Sequence, residues 1–218
     1  FASLQAVLSS LPYSISIGVS GQITLGVIGA ALIGIIIGPL FGGLAVLIGS
    51  VIGMFINPAG AIFGVLSVLP PTLGALGAGF TMLKRSYVPG TIILASVLIF
   101  YAHPFGREVL FYPFLDIIAI IVAFVFSTRM AVWSSQLLDI KKLSLGVPVA
   151  AFVGTLTDHM FGSGLAIWYF NPVLTPEIWS FVMFVYPIER IVVVILTSII
   201  AVPLYYSLEK VGLLNLTS

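Results

Sequence analysis

The chain has 218 residues, of which 60% are hydrophobic and only 7% charged, with mean hydropathy +1.25, formal net charge +1 and no cysteine. A soluble domain carries about 25% charged residues, so this composition excludes an ordinary water-covered surface. The absent cysteines exclude a disulfide framework or a thiolate metal site, and the near-zero charge gives no footing for nucleic acid.

The apolar stretches are continuous rather than alternating, which argues for helices across a membrane and against a β-barrel. The expected fold is all-α: a single integral membrane domain over residues 1–218, a polytopic helical bundle of six to eight membrane segments, some short or broken. The chain opens on Phe1 rather than Met, so a preceding piece is expected, and the first residues read as the end of a helix rather than a signal peptide. A partial segment at 1–12 is followed by a loop around "PYSISIGVSGQ". In the first segment, Ala2 and Ala6 stand four apart and share one helix face, which marks them as a candidate partner interface.

Runs follow at 23–37, 40–56 and 61–83. A span takes roughly 20 residues, so the shorter runs must tilt, break or re-enter. Gly38-Pro39 reads as a break between two short helices, and Pro70-Pro71 as an interruption of the fourth run. Gly38 and Gly42, and Gly49 and Gly53, form small-xxx-small pairs that let backbones approach closely in lipid. Close packing accounts for such glycines; broken helices beside a substrate site are the functional alternative. Asn57 ends the third run.

Further runs cover 91–103, 113–133, 147–168 and 180–207. Lys84, Arg85, Lys141, Lys142 and Lys210 fall in one set of alternate connections, with Arg129 at the edge; Arg107 and Glu108, and Glu177, fall in the other. The positive-inside rule then puts both termini in the cytoplasm, in a cell (plasma) membrane protein. "NLT" at 215–217 is a glycosylation sequon that this topology keeps inside and unmodified.

Ionisable groups inside a span cost about 2.5–3.5 kcal/mol each on insertion scales, and they usually face a cavity or a partner. The segment "GTLTDHMFGSG" sets Asp158 and His159 near mid-depth or slightly outward. Glu189 and Arg190 lie about 14 Å into the last run at 1.5 Å per residue, and Asp116 one turn into the sixth. His103, Arg107 and Glu108 mark an outer connection; Trp168 and Asn171 mark the outer end of the seventh run. The polar groups thus crowd the midplane and outer half. The candidate substrate-binding set is Asp158, His159, Glu189, Arg190, Asp116, Arg107, Asn57 and Trp168. Arg190 or Arg107 would suit a carboxylate or phosphate, and Asp158 or Glu189 an amine or hydroxyl. Trp168, Trp179 and Tyr169 could stack on a ring. The plainer reading makes each deep group one half of a structural pair, with Asp158 bonded to Arg190 or His159; neighbours on a helix point about 100° apart, so Asp158 and His159 cannot share one direction.

Catalytic readings are weaker: no GxSxG, no HExxH and no paired metal spacing accompany His103, Asp158 or His159, and a proton relay through Asp158, His159 and Glu189 is the remaining option. No catalytic residue, metal or cofactor is expected.

"GPLFGGLAVLIGSVIGMFINP" followed by "SVLPPTLGALGAGFTMLKR" resembles the S components, the membrane-embedded substrate-binding subunits of energy-coupling factor transporters. The resemblance is loose and covers about residues 1–85, carried by Gly38, Pro39, Gly42, Gly49, Gly53, Asn57 and Pro58. It implies a protein that captures a vitamin-like solute from outside, with a loop at 12–22 covering the substrate and Ala2 and Ala6 docking a coupling membrane protein served by two ATPases. Such proteins usually have six helices, where this chain reads as up to eight. The chain has no GxxxxGK[ST] motif with which to hydrolyse ATP itself. Two rivals stand beside this expectation: an integral accessory subunit of a larger complex, for example a respiratory one, with no small-molecule site, and a membrane enzyme using Asp158 and His159. Its surroundings would be membrane lipid and other membrane subunits, with no nucleic acid.

Overall fold

The computed structural model describes residues 1–11, 14–17, 21–133 and 140–213, and within these the side chains of all except 14–17, 21–24 and 127–133. The chain forms an all-α bundle. Without water in the hydrocarbon layer, each backbone amide and carbonyl must bond within its own segment, which is what a helix does. In chain order the helices are α1 (Ala2–Ser10), α2 (Leu25–Ile37), α3 (Pro39–Ile56), α4 (Leu69–Met82), α5 (Tyr87–Ala102), the short α6 (Pro104–Glu108), α7 (Phe114–Trp133), α8 (Ile140–Tyr169) and α9 (Pro176–Lys210). Segments 39–56, 64–82, 140–169 and 176–210 are long and apolar enough to cross a membrane, and α2, α5 and 114–126 are shorter apolar helices. The chain is a helical membrane protein.

Two local details depart from the sequence expectations, and a third refines them. The loop at 12–22 contains part of an antiparallel hairpin, β1 (Ser14–Ile17) with β2 (Gly21–Thr24), in register Ser14 to Thr24. Pro70 and Pro71 mark the division of the run at 61–83, and they do so from the first turn of α4, where a missing N–H costs nothing. The stretch before them turns through 3-10 geometry at Pro58–Gly60 and Gly64–Val68. The last two runs are longer than expected, at 30 and 35 residues, and continue through Pro148, Pro187 and Pro203. The sequon at 215–217 and the Arg129 side chain lie outside the described residues.

Glycines set how closely the helices stack. Gly38, at φ 81°, joins α2 to α3 in a left-handed conformation that only glycine adopts without strain, so the helices turn back on each other through one residue. A methyl group on Gly42 would come within 2.9 Å of Gly34 Cα, one on Gly79 within 2.5 Å of Pro39 N, and one on Gly34 would collide with the Ala75 carbonyl. On the other side of α4, Gly74 meets Gly154 of α8, with a Gly74 methyl 2.9 Å from Asp158 Cβ and a Gly154 methyl 2.8 Å from the Gly74 carbonyl. Gly74 and Gly77 of "LGALGAG" therefore let α8 pack closely on α4.

The expected partner face on α1 is already occupied. A methyl group on Gly49 of α3 would lie 2.5 Å from the Ala2 carbonyl oxygen, and one on Gly53 would lie 3.4 Å from the Ala6 carbonyl oxygen. Ala6 is only 5% exposed. Ala2 and Ala6 thus pack on their own chain, because the glycines of α3 offer them a groove. The exposed face of α1 carries Leu4 and Val7 instead.

Candidate ligand cavity

One face of α8 bears Thr155, Asp158, His159, Gly162, Ser163 and Ala166, spaced three and four apart as a helical stripe. On α9 the same spacing aligns Tyr186, Glu189 and Arg190. The two stripes meet. Arg190 Nη1 donates to Asp158 Oδ2 at 3.1 Å and to Thr155 Oγ1 at 3.2 Å, and Nη2 donates to Glu189 Oε1 at 3.4 Å. One guanidinium thereby serves two carboxylates, each almost enclosed: Asp158 is 7% and Glu189 6% exposed.

His159 turns away from this trio, as the 100° step from Asp158 requires. Its Nδ1 lies 3.2 Å from Asp116 Oδ1 on α7, and its Nε2 lies 3.2 Å from the Tyr112 hydroxyl, which is 2.9 Å from Ser163 Oγ. The Tyr186 ring stacks on the imidazole with centroids 4.2 Å apart, while its hydroxyl donates to the Tyr112 carbonyl at 2.8 Å. Both ring nitrogens of His159 are therefore engaged, and the ring is clamped from one side.

A cavity of about 650 Å³ adjoins these groups. Asp158, His159, Ser163, Tyr186, Glu189 and Arg190 line its floor; Gln5, Ser9, Gly26, Ser50 and Met54 line the wall from α1 to α3. Residues 59–63, Ser67, Leu174 and Ile178 stand at the end where α3 finishes and α9 begins. Asn57 belongs to this wall too, with its Nδ2 donating to the Ser10 carbonyl at 3.4 Å. Trp179 lines the cavity and is 4% exposed.

Of the eight candidate binding residues, five line the cavity: Asp158, His159, Glu189, Arg190 and Asn57. Asp116 does not; fully buried, it stands behind His159 and orients the ring. Arg107 is a correction. It lies on α6, where its Nη2 donates to the Ala102 carbonyl at 3.1 Å, and it does not line the cavity. Trp168 is the second correction: it is 53% exposed, donates from Nε1 to the Ile99 carbonyl at 3.2 Å and meets His103 edge-on. Tyr169 packs on Phe63 and Phe170 rather than lining the cavity. His103 itself caps α6 through Nδ1, which accepts from Phe105 N at 3.2 Å. Among the described residues no group of three His, Asp or Glu side chains could hold a metal ion.

Thr155, Tyr112, Ser163 and Tyr186 were not anticipated. The α8 stripe would have pointed to Thr155 and Ser163; nothing local marks Tyr112, which reaches the site from the turn before α7.

No family model matches the chain. The chain is similar to an uncharacterized protein of Methanocaldococcus jannaschii, 31% identical over 158 residues, a match covering 71% of this chain and 52% of that relative. It therefore spans about half the length of the curated relative it matches. No solved structure matches.

Proposed function

We propose that this chain is the substrate-capture subunit of a small-solute importer, built like the S components it resembles. The observation that carries the reading is the convergence of Asp158, His159, Glu189 and Arg190, from two helices, on one cavity of about 650 Å³. That volume lies within the ~300–1,000 Å³ range of small-molecule sites. With the basic connections at Lys84, Arg85, Lys141 and Lys142 in the cytoplasm, both termini lie inside and the mouth beside residues 59–63 and 174–178 faces outward. The solute binds there from outside. Uptake then requires a coupling membrane protein and ATPases.

Two features weigh against the rivals. In an accessory subunit the deep charges would wait for neighbours, whereas here Arg190 and His159 find carboxylates within the chain. An enzyme using Asp158 and His159 would need the two to act on one substrate atom, whereas here they turn to different partners, Asp158 to Arg190 and His159 to Asp116.

The test is mass spectrometry of a denatured extract after purification from native membranes. A small organic molecule should accompany the wild-type chain and be lost from Asp158→Asn and Arg190→Gln proteins that still elute as single folded species. A wild-type chain that carries no such molecule and co-purifies stoichiometrically with redox subunits would establish the accessory role instead.

A further inference from the structure

The charges around the cavity do not balance. Asp158 and Glu189 face a single cation, Arg190, while His159, which also lines the cavity, bonds to Asp116 behind it. Two carboxylates against one guanidinium leave the trio with one surplus negative charge. Each cavity carboxylate spends one oxygen on the guanidinium. Asp158 uses Oδ2 and Glu189 uses Oε1, and the second oxygen of each has no hydrogen bond among the described residues. Arg190 has little left for an anion: Nη1 and Nη2 are engaged, and Nε is sealed from the cavity. An unbalanced charge at this depth is costly unless a proton or a cation joins it, and the cavity leaves room for the cation.

Apolar and aromatic side chains make up much of the remaining lining. Met54, Phe63, Val182 and Trp179 belong to it, and Tyr186 offers a further ring. Aromatic faces attract cations through their quadrupole, most strongly where water is excluded. Taking the capture reading as its premise, we infer that the cavity receives an organic solute bearing one positive charge. Its ammonium or protonated ring nitrogen sits against the Asp158 and Glu189 carboxylates, and its apolar body against Trp179 and Phe63. The same surplus could be met by an inorganic monovalent ion, which the test separates.

The experiment uses the full chain in lipid nanodiscs at low salt and three probes of similar size: benzyltrimethylammonium, benzyl alcohol and benzoate, titrated by calorimetry. Benzyltrimethylammonium should bind at least tenfold more tightly than benzyl alcohol, and benzoate most weakly. Glu189→Gln removes the surplus; it should reduce the preference for the cation over benzyl alcohol at least tenfold, and Asp158→Asn serves as a second variant should Glu189→Gln fail to fold. Benzyl alcohol or benzoate binding as tightly as the cation would overturn the charge assignment and leave the capture reading standing. NaCl that binds with the full heat and abolishes any difference among the probes would assign the surplus to an inorganic ion, again overturning the proposal. If no probe binds and no organic molecule co-purifies, both readings fall together.

Discussion

The two halves of the bundle meet the same low-dielectric surroundings in opposite ways. Where α2, α3 and α4 meet, the contact is backbone against backbone: Gly34 on the Ala75 carbonyl, Gly42 on Gly34, Gly79 on Pro39, none of them involving a charged side chain. Where α8 meets α9, the contact runs through Arg190, Asp158 and Glu189 beside an open cavity. The first region depends on volume and tolerates no added atom. The second depends on charge and has room to spare. A protein that needed only stability would use the first kind of contact throughout, since apolar packing can replace a buried ion pair at little or no loss.

The sharpest way to break this comparison is Arg190→Leu. It strands two buried carboxylates and should cost about 3–5 kcal/mol, read as a large fall in the midpoint of thermal unfolding in detergent. Replacing Asp158, Glu189 and Arg190 together with leucine should recover most of that loss while abolishing ligand binding. Next, Gly34→Val drives a side chain into the Ala75 carbonyl and should cost about 3 kcal/mol, with no second apolar substitution in the seam restoring it; recovery by such a substitution would erase the distinction between the halves. Asp116→Asn should cost about 1–2 kcal/mol, because a buried acceptor of His159 is altered, yet it should leave the order of the three probes as it is in the wild type. Smallest of all, Arg107→Ala should stay within about 0.5 kcal/mol and leave ligand affinity unchanged, since that side chain caps a carbonyl far from the cavity.

Much of the fold was legible because hydropathy records length. The expected runs at 40–56 and 113–133 differ from α3 and α7 by a single residue at one end, and the Gly38-Pro39 break falls between α2 and α3 as expected. The prolines act in two ways: Pro70 and Pro71 start α4 partway along the run at 61–83, whereas Pro148, Pro187 and Pro203 sit within helices that neighbouring structure sustains. Depth along a helix was equally readable, and it placed Asp158, His159, Glu189 and Arg190 at one level. Azimuth was not. Arg107 and Trp168 lie at a suitable end of the molecule but point elsewhere, because facing is set by contacts between distant segments. The same limit hid Tyr112, whose partner His159 is 47 residues away, and it made the Ala2–Ala6 face look free when α3 already covers it.

The lengths of α2 and α9 carry a further consequence. At 1.5 Å per residue, the 13 residues of α2 reach only about 20 Å, well short of a hydrocarbon layer of about 30 Å. Nearly all of α2 is enclosed by other helices, so lipid chains never sense that shortfall. The 35 residues of α9 extend about 52 Å, and their outer side, with Phe184, Ile188, Ile191, Ile195 and Ile199, is bare to acyl chains. A thinner bilayer is accommodated by leaning such a rod, and Arg190 rides on it, so bilayer thickness has a mechanical route to the Asp158 carboxylate.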